Sequence, residues 1–111
     1  TCFEVFLLGE DGHSYREWNI APSGAWQAYD FRAYRDAGGL SAVDPPVITR
    51  LDSPGLLQID VALSAAGPAL KRLGLSALLE TRTGALSYWA LRHTPGQPDF
   101  HHTDAFALEP T

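Results

Sequence analysis

The 111-residue chain contains no methionine, one cysteine and one lysine. Without a start residue it reads as a fragment, a processed chain or one piece of a longer protein, and any targeting sequence that preceded it is not visible. A lone cysteine, Cys2, cannot close an internal disulfide, which excludes a disulfide framework and leans toward a reducing cytoplasm. Lying in an apolar run, Cys2 suits a small buried hydrophobe better than a redox centre. No apolar stretch approaches the roughly 20 residues that cross a bilayer as a helix. Nothing resembles a signal peptide. Basic charge is also sparse: Lys71 and scattered arginines stand against 13 acidic residues, for a net charge of −5. No basic stripe is present to track phosphates, so nucleic acid and anionic membrane surfaces are set aside as partners. The sequence lacks GxSxG, HExxH and a glycine-rich phosphate loop. Glu4 and Glu17 are paired carboxylates of the kind a glycosidase uses, but such enzymes need a deeper cleft and more chain. A non-catalytic protein is expected, with no cofactor.

What is present is a soluble-type composition, 45% hydrophobic and 19% charged, of a length that supports one domain, residues 1–111. Its pattern has a period of two. Residues 2–8 (CFEVFLL) form an apolar run of strand length, closed by a turn at residues 9–12 where Asp-Gly supplies a positive φ. Residues 15–20 and 26–34 continue as strands around the Ala21-Pro22-Ser23-Gly24 turn. Residues 35–46, with Gly38-Gly39 and Pro45-Pro46, read as a connection. Strands resume over 47–51 and over 57–65, where Leu57, Ile59, Val61, Leu63 and Ala65 alternate with polar or small residues. Gly67-Pro68 ends that strand, residues 69–73 (ALKRL) suit one helical turn, and 75–81 and 86–92 pair around Thr83-Gly84. The tail from His93 is expected to be mostly irregular. Seven strands with turn signals between them and no amphipathic helix predict an all-β antiparallel sandwich or jelly roll.

Three Trp, four Tyr and five Phe crowd mostly into residues 15–34 and 86–102. Aromatic faces beside Asn, Gln, Asp, Arg and His suit a ligand that is half apolar and half polar, such as a sugar. Glu4 shares a strand face with Cys2, Phe6 and Leu8, so its carboxylate either lines a pocket and accepts from sugar hydroxyls, pairs with an arginine, or points to water from an edge strand. Arg16, Trp18 and Ile20 share one face of their strand, and Tyr15, Glu17 and Asn19 the other. If Trp18 is core, Glu17 and Asn19 are exposed; if it is displayed, Arg16 braces it by a cation–π contact. Trp26, at a loop edge, is expected to be exposed. Asp30 and Arg32 suit a surface pair. For Tyr88 and Trp89 core is the default. His93, Asp99, His101, His102 and Asp104 are closely spaced donors, but His101 and His102 alternate sides of an extended chain and no thiolate joins them, so no metal site is expected.

The stretches CFEVFL, YREWNIAPSGAWQAYDFRAY and LSYWALRHTPGQPDFHHTDAFALE resemble the bacterial DOMON-like domain proteins, relatives of the family 9 carbohydrate-binding modules. The resemblance covers nearly the whole chain and implies a carbohydrate-binding-module-like jelly roll. In longer members further strands precede the CFE segment. It therefore implies missing N-terminal strands and an open sheet edge, to be covered by a preceding segment, another chain or a homodimer mate. It also implies sugar or haem as ligand. Glu4 sits where the sugar-binding modules carry a glutamate. Methionine ligation of haem has no residue to perform it, leaving His13, His93, His101 or His102. The expected ligand is a small saccharide, stacked on Trp18, Trp26 or Trp89 and hydrogen-bonded by Glu4, Asn19 and Arg16 or Gln27. The remaining readings are a haem or metal protein and an interaction scaffold.

Overall fold

A computed structural model describes residues 1–40, 42–63 and 70–109. The expectations for Ser64, Ala65, Gly67, Pro68, Ala69 and Pro110 lie outside them. The fold is all-β and antiparallel in two sheets. Its strands are β1 (Cys2–Gly9), β2 (Tyr15–Ile20), β3 (Trp26–Ala33), β4 (Asp36–Leu40), β5 (Val47–Ser53), β6 (Leu56–Ala62), β7 (Leu70–Glu80) and β8 (Leu86–Ala90). The large sheet has the order β4-β3-β2-β1-β7-β8, and β5 and β6 form a separate two-stranded sheet. The second layer of the sandwich is thus far narrower than the first. It is tied to the large sheet where Arg50 Nη1 donates to the Pro22 carbonyl at 2.9 Å.

Most of the alternating segments form strands where the pattern placed them, because a half-buried strand needs one apolar face and gets it from every second residue. Two expectations are corrected. Residues 36–40 are not a connection but the edge strand β4, paired with β3 through two register shifts. Gly38-Gly39 has little strand preference, but an edge strand is held by ladder hydrogen bonds that do not depend on side chains. The reversal into β4 puts Arg35 at φ 53°, a left-handed conformation unusual for a residue with a Cβ. Residues 70–73 are not helical but open β7, paired with β1 from Gly9↔Leu70 to Cys2↔Leu78. A short stretch of helix-forming residues cannot compete with an eleven-residue strand already laddered along β1.

The irregular tail contributes much of the core. Leu73 and Leu108 exchange backbone hydrogen bonds of 2.8 and 2.9 Å, which docks the tail on the edge of β7 beyond the end of β8. Phe106, fully buried, then stacks on Phe6 with ring centroids 5.4 Å apart and meets Tyr15 edge-on at 5.7 Å. Phe6, Leu8, Tyr15 and Phe106 are one buried cluster, with Phe31 and Phe100 packed against it. Gly74 makes this possible: a Cβ there would lie 2.7 Å from Phe106 Cδ1. A single turn of 3-10 helix, Thr103–Ala105, is capped by His102, whose Nδ1 accepts from the Asp104 amide at 3.1 Å.

Candidate functional site

Cross-strand register sorts the expected site residues onto two faces. Glu4 lies opposite Asn19, Phe6 opposite Glu17, and Val5 opposite Trp18. Paired residues share a face, so Glu4, Glu17 and Asn19 stand together while Trp18 lies behind the sheet. Gln27 and Tyr29 of β3 join the first face opposite Asn19 and Glu17, and Ser76 of β7 joins it opposite Glu4. Arg16, Trp26 and Trp89 are on the second face with Trp18.

The second face does not form the expected stacking platform. Trp18 is 1% exposed, with Trp26 tilted against it at 5.6 Å. Its indole Nε1–H is buried, with no hydrogen-bond partner among the described residues. Trp26 is half-buried rather than displayed. Arg16 does not reach toward a ligand but donates from Nε to Asp30 Oδ1 at 2.7 Å, which also removes Asp30 from the expected pair with Arg32. Arg32 instead pairs with Asp36 at 3.2 Å. Tyr88 and Trp89 are not core: β8 is an edge strand, Trp89 is 60% exposed, and its Nε1 donates to Ser87 Oγ at 2.9 Å.

The first face holds the chemistry. Glu4 is half-buried, and Ser76 Oγ donates to its Oε2 at 3.1 Å. Burial raises the Glu4 carboxyl above the ordinary range, against the Ser76 hydrogen bond and the more distant charge of Arg35. Glu17 is only 6% exposed. Burial first, and then the neighbouring Glu4 charge, raise its carboxyl to about 7 despite a hydrogen bond with Asn19. Among the described residues no arginine or lysine sits within ion-pair distance of either carboxylate. Two acidic groups brought this close in a half-dry site cannot both ionise freely. Cys2, at the end of the same face, places Sγ 3.7 Å from Asn19 Oδ1, and burial followed by the Glu4 charge raises its thiol.

A relay ties this face to the tail. The Arg35 amide donates to the Tyr15 phenol oxygen at 3.0 Å, and that phenol lies 2.8 Å from His101 Nδ1. If the phenol donates to Nδ1, the neutral His101 ring carries its proton on Nε2, which lies 3.9 Å from Glu17 Oε1. Burial, then the Arg35 charge, lower the His101 pKa, in keeping with a neutral ring. Arg35 Nη2 meets Asp99 Oδ1 at 3.0 Å, and the Tyr34 hydroxyl donates to the other Asp99 oxygen, so the β3–β4 turn clamps the tail in place. Among the described residues no group of three or more His, Cys, Asp or Glu side chains is arranged to hold a metal ion.

Sequence reasoning put Glu4 and Asn19 among the candidates, placed Glu17 beside Asn19 on a face expected to be exposed if Trp18 is core, and weighed it with Glu4 as a glycosidase pair. It did not single out Ser76, and it considered His101 only as a metal or haem donor. The signal for Glu17 was its place in a strand whose other face carries Trp18 and Ile20. For His101 the signal was Phe100 beside it, a ring that draws the tail inward.

Comparison of the chain with protein-family models, curated proteins and solved structures finds no match in any of the three.

Proposed function

We propose that the protein is a non-catalytic ligand-binding module whose ligand is a small carbohydrate, held on the open half of the face that carries Glu4. The observation that carries this reading is the Glu4 carboxylate. It is half-buried, engaged by a hydroxyl and not by a cation, and so retains acceptor capacity for ligand hydroxyls. Asn19 and Gln27 add amide donors and acceptors beside it, and Tyr29 and Tyr88 on the same face offer rings for a sugar's C–H surface. A shallow crevice lined by Phe6, Ser76, Ala90 and Phe100 lies on this face with no enclosed room for a ligand, so a sugar ring would rest on the surface and not in a pocket. The stacking role passes from the tryptophans to the tyrosines, because the sheet stands between Trp18, Trp26 or Trp89 and Glu4.

Calorimetric titration with mono- and disaccharides tests this. One sugar should give a saturable heat with an affinity in the micromolar to millimolar range. Glu4→Ala should weaken it at least tenfold, the ~1.4 kcal/mol or more expected of a charge-assisted hydrogen bond, while Trp89→Ala leaves it unchanged. Absence of heat with every sugar, in folded protein, overturns the reading. Loss of binding in Trp89→Ala with none in Glu4→Ala puts the site on the other face.

A further inference from the structure

The face behind Glu4 divides into two halves. On β2 and β3 it is covered: Trp18, Ile20 and Ala28 are all buried. On β1, β7 and β8 it is not. Val5, Leu75, Ala77, Leu79, Ser87 and Trp89 occupy adjoining positions there, and none of them is buried. Leu75 is 38% and Trp89 60% exposed. Aspartate, glutamate, lysine and arginine are all absent from the positions on this face between Phe3 and Leu7, between Leu73 and Leu79, and at Ser87 and Trp89. Solvated sheet faces ordinarily alternate apolar-in with polar-out. Here the outward positions are apolar too.

The surface area agrees. The chain exposes 7085 Å², whereas a compact monomer of 12.1 kDa exposes about 6,000 Å² by the mass scaling of folded proteins. Its radius of gyration is 14.1 Å, against about 13 Å for a compact chain of this length. The excess, roughly 1,000 Å², is shared between this strip and the exposed strands β4, β5 and β6, and it leaves room for an interface toward the ~800 Å² that each partner buries in a standard stable complex.

We propose that this strip is the interface of a homodimer, in which two copies of the chain stack face to face across a two-fold axis and each supplies the missing second layer of the other. Two features favour a second copy. The strip has no charge that could select a partner by complementarity, and stacking it on itself brings no like charges together. It is also self-complementary in size: Ala77 pairs with Trp89, and Leu79 with Ser87, so a large side chain sits beside a small one in each cross-strand pair. A two-fold can set Trp89 of one copy over Ala77 or Ser87 of the other, as aligned sheets interdigitate at about 10 Å. The Glu4 face lies on the far side of each sheet and remains open.

Sedimentation velocity from low to high micromolar concentration tests this. The expected result is a monomer–dimer equilibrium reaching twice 12.1 kDa, strengthened by salt because each copy carries a net charge of −5. Leu75→Glu and Trp89→Glu, both at exposed positions, should each weaken association at least tenfold with circular dichroism unchanged, while Leu86→Glu, exposed on the opposite face, should not. A monomer at every concentration overturns the proposal, and so does a dimer indifferent to both variants. A monomer that binds an apolar dye, with the dye lost in Trp89→Glu, shows the strip open to a different partner and also overturns the second-copy assignment.

Discussion

Phe106→Ala should destabilise the protein by about 3–5 kcal/mol, the range for removing a large buried aromatic side chain. The ring is fully buried and reaches Phe6 and Tyr15 at once. Each aromatic pair adds about 0.5–1.5 kcal/mol beyond the buried area. Against a total of roughly 5–15 kcal/mol for a domain, this loss amounts to between about a fifth and the whole of the stability. Gly74→Ala attacks the same contact from the other side. Its methyl would lie 2.7 Å from Phe106 Cδ1 and 3.4 Å from Phe106 Cα, so the tail must shift outward at about 1–3 kcal/mol. The two changes should not add. In the double variant the new methyl enters space that Phe106 has vacated, so the double loss should fall short of the sum by at least about 0.5 kcal/mol. Urea denaturation of the four proteins measures this. Strict additivity would mean that the Gly74–Phe106 approach does not anchor the tail.

This tail also marks the limit of what the sequence made legible. Strands β3 and β6 announce themselves by alternation, β1 by an apolar run of strand length, and β2, β5 and β8 by short strand-like segments between turn signals. Residues 93–109 have no period, and their prolines and glycines read as loop, although Phe106 completes the core. Their order comes from tertiary contacts: the Leu73–Leu108 bridge, the Arg35–Asp99 pair and the Gly74 notch. Those link residues more than thirty positions apart, beyond the reach of local pattern. Strand β4 was hidden for the related reason that its ladder rests on backbone groups, and Gly38-Gly39 leave no side-chain alternation to read. Strand β2 posed a choice between burying Trp18 and burying Glu17, and the structure buries both. A strand with neighbours on each side that buries Trp18 and Ile20 on one face and Tyr15 and Glu17 on the other has no solvent face to reveal. Among the candidate site residues, Glu4 and Asn19 do stand opposite each other. Trp18 and Asn19 are consecutive in a strand and so point apart, a consequence of alternation that already separated the tryptophan from the amide.

Burying Glu17 has a pH signature. Its carboxyl is raised from 4.5 to about 7, so between those values the folded chain keeps a proton that the unfolded chain has released. The folded state then holds more protons, and stability falls as pH rises, by up to about 1.4 kcal/mol per unit and about 3 kcal/mol over the window. Glu4, raised by burial, acts in the same direction and titrates together with Glu17 as a pair. His101 acts oppositely. Its pKa is lowered from 6.5, so the unfolded chain gains a proton there as pH falls below 6.5 while the folded chain resists it, and stability is lost toward acid. Arg35, the cation that acts on all three groups, keeps its charge throughout. The parent protein should therefore be most stable at mildly acid pH, with the two slopes offsetting one another below 6.5 and the Glu17 slope alone acting above it. Glu17→Gln preserves the shape and the amide contact to Asn19 but removes the titration. Relative to the parent, the variant should gain about 3 kcal/mol on going from pH 4 to pH 8, read from urea midpoints at the two ends. It should keep the acid-side loss due to His101, and His101→Gln should remove that loss while retaining the alkaline one. A difference between Glu17→Gln and the parent that stays constant with pH would mean that Glu17 is ionised within the fold, with a cation or water beside it that satisfies the charge.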